Sequence, residues 1–320
     1  MNWQPTASLP TLRLRAELLA ATRNFFAARG VLEVDTPALV HHAVTDRHIH
    51  SAQVQLPGHG AALFLHTSPE YAMKRLLAAG SGDIYQIAHV FRGDEASRLH
   101  NAEFTLVEWY RCGYSMQQLM HEVAQLAALL LQLSCDAPFE CLSYQQAFQR
   151  ALDCDPLAAA DAALRALALR QRLDPQLAAR CGRDELLDWL MGSVVGPGLG
   201  LDRLCFVHRY PASQAALARL DGDDARVALR FELYYRGIEL ANGFEELTDA
   251  GQQRERFQAD RAQRLECGLP APQIDQALLD ALAAGLPPVA GVAMGFDRLL
   301  LLRSGERELA AVLAFPLERA

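Results

Sequence analysis

Apolar and polar positions alternate most tellingly between Ile87 and Arg111. Ile87-Ala88-His89-Val90-Phe91 reads as a strand, the stretch from Gly93 to Asn101 is a polar break, and Glu103 to Arg111 resumes with β-branched and aromatic residues. Two strands joined by a polar loop predict an antiparallel hairpin. Strand side chains alternate faces, so Phe104, Leu106, Glu108 and Tyr110 share one face. An aromatic ring, a carboxylate and a phenol in one row make a poor core and a good ligand floor. Arg92 enters from the partner strand beside the loop, where its planar fork suits a carboxylate or a phosphate.

Helical spacing governs the start of the chain. Leu14, Leu18, Ala21 and Phe25 form one stripe, predicting a helix over Thr11–Arg29 that Gly30 stops. A short strand, Val31 to Val34, then runs into Thr36-Pro37. Leu63 to His66 reads as another strand, followed by Thr67-Ser68-Pro69-Glu70 and a helix over Tyr71–Ala79. Glu70 has two readings there: an acid complementing the helix N-terminus, or a ligand-facing carboxylate. Met116 to Leu133 is a strongly amphipathic helix. Phe148 to about Leu204 is rich in Ala, Leu and Arg, which predicts helices bundled on the surface of the main fold. Gly192 to Gly200 lacks the lysine and Ser/Thr that end a phosphate-binding loop, so an irregular connection is expected.

Cys205 to Pro211 and Arg226 to Tyr235 predict two further strands. Glu239 and Glu246 then flank Gly243, ahead of a helix over Thr248–Glu266. Acids just before a helix usually cap it, but Glu239 lies too early for that, which hints at a metal or ammonium partner. Near the C-terminus, small residues at Gly291, Ala293 and Gly295 fall on one strand face, and Asp297-Arg298 opens a helix. Such a face admits a flat ligand at close range, or simply a tightly packed helix.

Composition narrows the class. The chain has 320 residues, 51% hydrophobic and 21% charged, as expected of an ordinary globular protein. Without repeats, low-complexity tracts or linkers, one domain over residues 1–320 with a helical insertion around 148–204 is expected. The formal net charge of -8 has the sign opposite to that usual for a nucleic-acid binder. The start, MNWQPTASLP, has no basic-then-apolar pattern, and the apolar run Ala127 to Leu133 is far short of a membrane span. The 7 cysteines include no C-x-x-C pair, arguing against a zinc knuckle or a disulfide framework and for reduced cytosolic thiols. His41, His42, His48 and His50 share a polar loop; without supporting carboxylate or cysteine spacing, a solvated loop is the plainer reading than a metal site.

Together these pieces resemble the three ordered signatures of class II aminoacyl-tRNA synthetases. The helix-strand-proline unit ending at Pro37 looks like the first, the hairpin from Phe91 to Arg111 like the second, and Gly291 to Leu300 like the third. HNAEFTLVEWY, ELANGFEEL and the Ser-Pro-Glu segment are similar to lysyl-tRNA synthetase. Only about ten residues precede the first helix, too few for the anticodon-binding domain of that enzyme, and Ala293 stands where it has glycine. In both respects the chain resembles the paralogues that attach (R)-β-lysine to elongation factor P. The methyl group of Ala293 would crowd the α-amino group of ordinary lysine and spare one moved a carbon along.

The resemblance implies an α+β fold, a class II synthetase catalytic core with a mainly antiparallel sheet flanked by helices, dimeric through its first signature. It implies a cytoplasmic ligase using ATP and Mg²⁺, with elongation factor P as acceptor and no tRNA. Arg92 would bridge substrate carboxylate and α-phosphate. Gly93, Asp94, His100, Asn101, Phe104, Glu239, Leu240, Gly295 and Arg298 would complete the ATP site, with Glu239 and Glu246 as metal ligands. Ser68, Glu70, Glu108, Tyr110, Asn242, Glu246 and Ala293 would line the amino-acid pocket. Gly93-Asp94 departs from the family's usual Asn-Glu, and Ala102 replaces a usual proline. The competing readings are a truncated lysyl-tRNA synthetase charging tRNA, an asparagine synthetase-like enzyme, for which the pocket is too acidic, and a regulatory paralogue, against which Arg92, Glu239 and Arg298 speak.

Overall fold

A computed structural model describes residues 3–58, 60–93, 97–134 and 137–320. Helix α1 (Leu9–Ala27) begins at Ser8, whose hydroxyl accepts the Thr11 N–H at 3.2 Å, with Pro10 in its first turn. It starts earlier than its apolar stripe suggests because cap and proline set the boundary. Gly30 follows at φ +67°, the left-handed turn that glycine accepts most readily. Strand β1 (Leu32–Glu33) leads into a small antiparallel sheet of β2 (Leu39–Val40), β3 (Gln53–Val54) and β4 (Leu63–Leu65), ordered β2-β4-β3. Helix α2 (Glu70–Ala78) precedes the hairpin β5 (Ile84–Phe91) and β6 (Glu103–Cys112). Helix α3 (Met116–Leu131) starts with a capping box between Ser115 and Gln118.

The second half opens with β7 (Glu140–Ser143) and four helices: α4 (Tyr144–Leu152), α5 (Asp161–Arg170), α6 (Pro175–Arg180) and α7 (Arg183–Leu190). Strands β8 (Cys205–Pro211), β9 (Val227–Tyr235) and β10 (Ile238–Glu245) come next, then α8 (Ala250–Glu266), α9 (Gln276–Gly285), β11 (Val289–Gly295) and α10 (Phe296–Ser304).

The main sheet has 8 strands, ordered β1-β5-β6-β11-β10-β9-β8-β7. Neighbours from β5 to β8 are antiparallel, whereas the outermost pairs, β1 with β5 and β7 with β8, are parallel. The expected mainly antiparallel sheet is therefore present, with parallel edges that no local pattern announces. Alternation sorts its faces. Val107, Trp109, Phe231 and Met294 join Phe26, Leu126 and Leu300 in the main core under α1, α3 and α10. The opposite face carries Glu108, Ala293 and Asn242 in one row, since Ala293 is in register with both neighbours.

Helices α4 to α7 pack around Tyr144, Phe148, Leu164 and Leu187 against Cys205 and Val207 of β8. The Gly192–Gly200 stretch is a π turn (Met191–Val195) followed by a 3₁₀ turn (Gly196–Gly198). Its glycine content serves packing: a Cβ on Gly200 would sit 2.5 Å from the Tyr234 carbonyl oxygen. No described helix is long and apolar enough to cross a membrane.

Candidate active site

A cavity of about 960 Å³ opens on the sheet face that carries Glu108, Ala293 and Asn242. One end is acidic. Glu70 and Lys74 share one side of α2, four residues apart, and Lys74 Nζ donates to Glu70 Oε1 at 2.7 Å. The same nitrogen lies 2.6 Å from Glu246 Oε2, just beyond β10. Lys74 is only 1% exposed. Burial alone would depress its ammonium, but Glu246 and Glu70 more than offset that and keep it charged. Glu70 is thus no helix cap; its carboxylate faces Lys74, and Ser68 accepts its backbone N–H at 3.4 Å.

From β6, the Tyr110 hydroxyl donates to Glu108 Oε1 at 2.7 Å. Burial pushes the Glu108 carboxyl up to about 8, with Glu70 adding to the rise and Tyr110 opposing it. Burial also raises Glu246, against the pull of Lys74. Glu108 Oε2 and Glu246 Oε1 have no hydrogen-bond partner among the described residues. Gly291 makes this closeness possible, because a Cβ there would lie 2.3 Å from the Tyr110 ring and 2.6 Å from Glu246 Oε1.

The other end is cationic and aromatic. Arg92 Nε donates to the Thr67 carbonyl at 3.3 Å, and its guanidinium lies 5.1 Å from the Phe104 ring centroid. Arg298, in the first turn of α10, donates to the Glu239 carbonyl at 2.9 Å and meets His100 Nε2 at 2.7 Å. Asn101 lines the wall while its amide donates to the Glu103 carbonyl at 2.6 Å. Leu240 and Gly295 line it too, although the Leu240 side chain belongs to the main core.

The cavity therefore gathers Ser68, Glu70, Glu108, Tyr110, Asn242, Glu246, Ala293, Arg92, His100, Asn101, Phe104, Glu239, Leu240, Gly295 and Arg298. Gly93 is absent from the wall; its N–H bonds the His50 carbonyl at 2.7 Å, pinning the hairpin end to the loop before β3. At Glu246 an ammonium already lies 2.6 Å from one oxygen, which leaves the other, Oε1, to face a cation. Asp94 lies outside the described residues. Glu239 does fit one Mg²⁺ carboxylate: its side chain is 41% exposed and its only ion pair among those described is a loose 3.7 Å approach to Arg298.

Other residues escaped sequence reading. Lys74 looks like an ordinary surface lysine, and only its place beside Met73 and Leu77 on the buried side of α2 hints otherwise. Asp297, 2% exposed, accepts the Thr105 N–H at 2.7 Å and pairs with Arg15 of α1. Asp184 and Asp188 of α7, with Gln253, Arg256 and Asp260 of α8, also line the cavity.

Comparison with known proteins places the chain in a family. The family model for class II tRNA synthetases (D, K and N) matches residues 3–319. Proteins named elongation factor P–(R)-β-lysine ligase from Salmonella dublin, Salmonella paratyphi B and Salmonella enteritidis are each 51% identical, over 100% of this chain and 98% of their own length. Matched end to end in this way, the chain belongs to the class II tRNA synthetase family of the D, K and N group.

Proposed function

We propose that this chain is an ATP-dependent ligase that activates (R)-β-lysine as its adenylate and transfers the β-lysyl group to a lysine ε-amino group of elongation factor P. The observation that carries the reading is the two-ended chemistry of one cavity: Glu70, Glu108 and Glu246 at one end, Arg92, Phe104 and Arg298 at the other. The 51% identity to ligases of that name supports the choice of substrate and acceptor.

In the first step a substrate carboxylate oxygen attacks the α-phosphorus of ATP. The new O–P bond forms as the bond to pyrophosphate breaks. The carboxylate is already ionised, so no side-chain base is needed, and catalysis comes from alignment and charge neutralisation. Arg92 would bridge carboxylate and α-phosphate. Phe104 would support adenine, with Arg298 on the other face, steadied by His100 and the Glu239 carbonyl. Glu239 would hold Mg²⁺, which when bound neutralises triphosphate charge. Glu108 and Glu246, helped by Tyr110, would receive ammonium groups. In the second step the neutral acceptor amine attacks the acyl carbon, the bond to AMP breaks, an amide forms and the amine loses its proton. Asp184, Asp188 and Asp260 of the cavity lining would give that amine an acidic approach.

The reading includes a homodimer through α1 and β1, where Leu32 is 54% exposed on the sheet's edge strand. A translation-factor acceptor also implies a cytoplasmic reaction without tRNA. The test offers the protein ATP, each lysine isomer, and elongation factor P and tRNA as competing acceptors, and reads the mass of both. A β-lysyl gain on elongation factor P is expected. A gain on tRNA alone overturns the proposal.

A further inference from the structure

Lys74 is nearly sealed from solvent, donates a hydrogen bond to Glu70 Oε1 and forms an ion pair with Glu246 Oε2 at 2.6 Å. Nothing in the two-step reaction uses it. Across the same subsite, Glu246 Oε1 and Glu108 Oε2 remain without partners among the described residues, on side chains that are 2% exposed as whole residues. A buried carboxylate oxygen without a partner is costly, and two of them on one cavity wall make a receptor for a cation.

We propose that Lys74 is a positioning residue that determines specificity for the number of ammonium groups on the substrate. By fixing one oxygen of Glu246 it leaves the other for the ligand, and by neutralising one of three carboxylates it leaves two to be matched by the ligand. A diamino acid brings two ammonium groups and balances that pair, while its own carboxylate belongs at Arg92. A monoamino acid of equal length leaves one buried carboxylate uncompensated. Without Lys74, Glu70 and Glu246 repel one another and turn apart, so the second oxygen of Glu246 is no longer held for the substrate. The inference deepens the proposed function and rests on it.

The test compares wild type with Lys74→Met, which keeps the side chain's length, and Lys74→Gln, which keeps an N–H donor for one carboxylate. The readout is ATP–pyrophosphate exchange driven by β-lysine or by (R)-3-aminohexanoate, which lacks only the distal amine. ATP binding by calorimetry reports that each variant is folded. The expected result is an ATP affinity within about threefold of wild type, together with a fall of at least about tenfold in the preference for the diamino acid, carried by its KM rather than by kcat. A folded variant that keeps the wild-type preference overturns the proposal. So does loss of ATP binding in both variants, which makes Lys74 a folding residue. If wild type activates neither lysine isomer, it is the functional reading that fails, and this outcome is distinct from an unchanged preference in an active enzyme.

Discussion

Ala293 is the direct register partner of Glu108 across the β6–β11 ladder, with Asn242 in register on its other side. Its methyl group therefore stands on the cavity floor between a carboxylate and an amide. In the proposed reaction it crowds an amino group on Cα and spares one on Cβ. Ala293→Gly is expected to raise activation of α-lysine relative to β-lysine by about tenfold, the usual worth of a methyl-sized contact. Pyrophosphate exchange with the two isomers measures the ratio, and an unchanged ratio removes Ala293 from the specificity argument.

Arg92 links the hairpin to the segment before α2 through the Thr67 carbonyl, while its guanidinium stays on the cavity wall. Arg92→Ala is expected to lower the adenylation rate by about a hundredfold or more, because a transition-state charge loses its donor. Arg92→Lys keeps the charge but loses the planar fork, so it should recover only part of the rate. Single-turnover adenylate formation gives the rate, and thermal melting should move little for either variant. Equal rates in wild type and Arg92→Ala would assign the bridging role elsewhere.

Glu108 gives the site a pH signature. Burial raises its carboxyl from 4.5 to about 8, so in the free protein it is largely protonated at neutral pH. An ammonium ligand requires the ionised form. The KM for the amino acid should therefore fall as pH rises toward and through about 8, and binding at pH 7 should release a proton to buffer. Stability has the opposite sign. The carboxyl holds its proton more tightly folded than unfolded, so its contribution is complete below about 4.5 and is lost as pH rises through about 8. Glu108→Gln should weaken both profiles, leaving the part carried by Glu246, whose carboxyl burial also raises. Calorimetry in buffers of differing ionisation enthalpy counts the proton, and zero release removes Glu108 as the titrating group.

Much of this site is legible along the chain because its local periods are intact. The row Phe104, Leu106, Glu108, Tyr110 follows strand alternation, and the small residues Gly291, Ala293 and Gly295 do the same on β11. What escapes is side-chain pairing between distant elements. The two partners of Lys74 differ in this respect: Glu70 is visible as a helix neighbour, whereas Glu246 meets it only in the folded sheet. Helix α9 is not legible in the sequence, although Leu278, Leu279 and Leu282 bury one side of it, since ten residues between loops give a weak periodic signal. The parallel edge pairs β1–β5 and β7–β8 are likewise set by tertiary packing, for β1 has only two residues.

The clearest case of distant pairing is Asp297, which lies 282 positions from Arg15. Its Oδ1 pairs with that arginine, its Oδ2 takes the Thr105 N–H at 2.7 Å, and Arg15 also donates to the Thr105 hydroxyl at 2.6 Å. These bonds clip α1, β6 and α10 together directly beside Phe104 and Arg298. Removing the carboxylate leaves a partly buried guanidinium and a buried backbone amide without their partner. Asp297→Ala should therefore destabilise the fold by about 3 kcal/mol, and the loosened start of α10 should raise the KM for ATP more than that for the amino acid. Arg15→Ala strands the buried carboxylate instead, so the two substitutions should not add. A double-mutant cycle by chemical denaturation is expected to give a coupling energy of about 1 kcal/mol or more between Arg15 and Asp297. If the two effects simply sum, the pair does not act as a clip, and Asp297 holds β6 through the Thr105 amide alone.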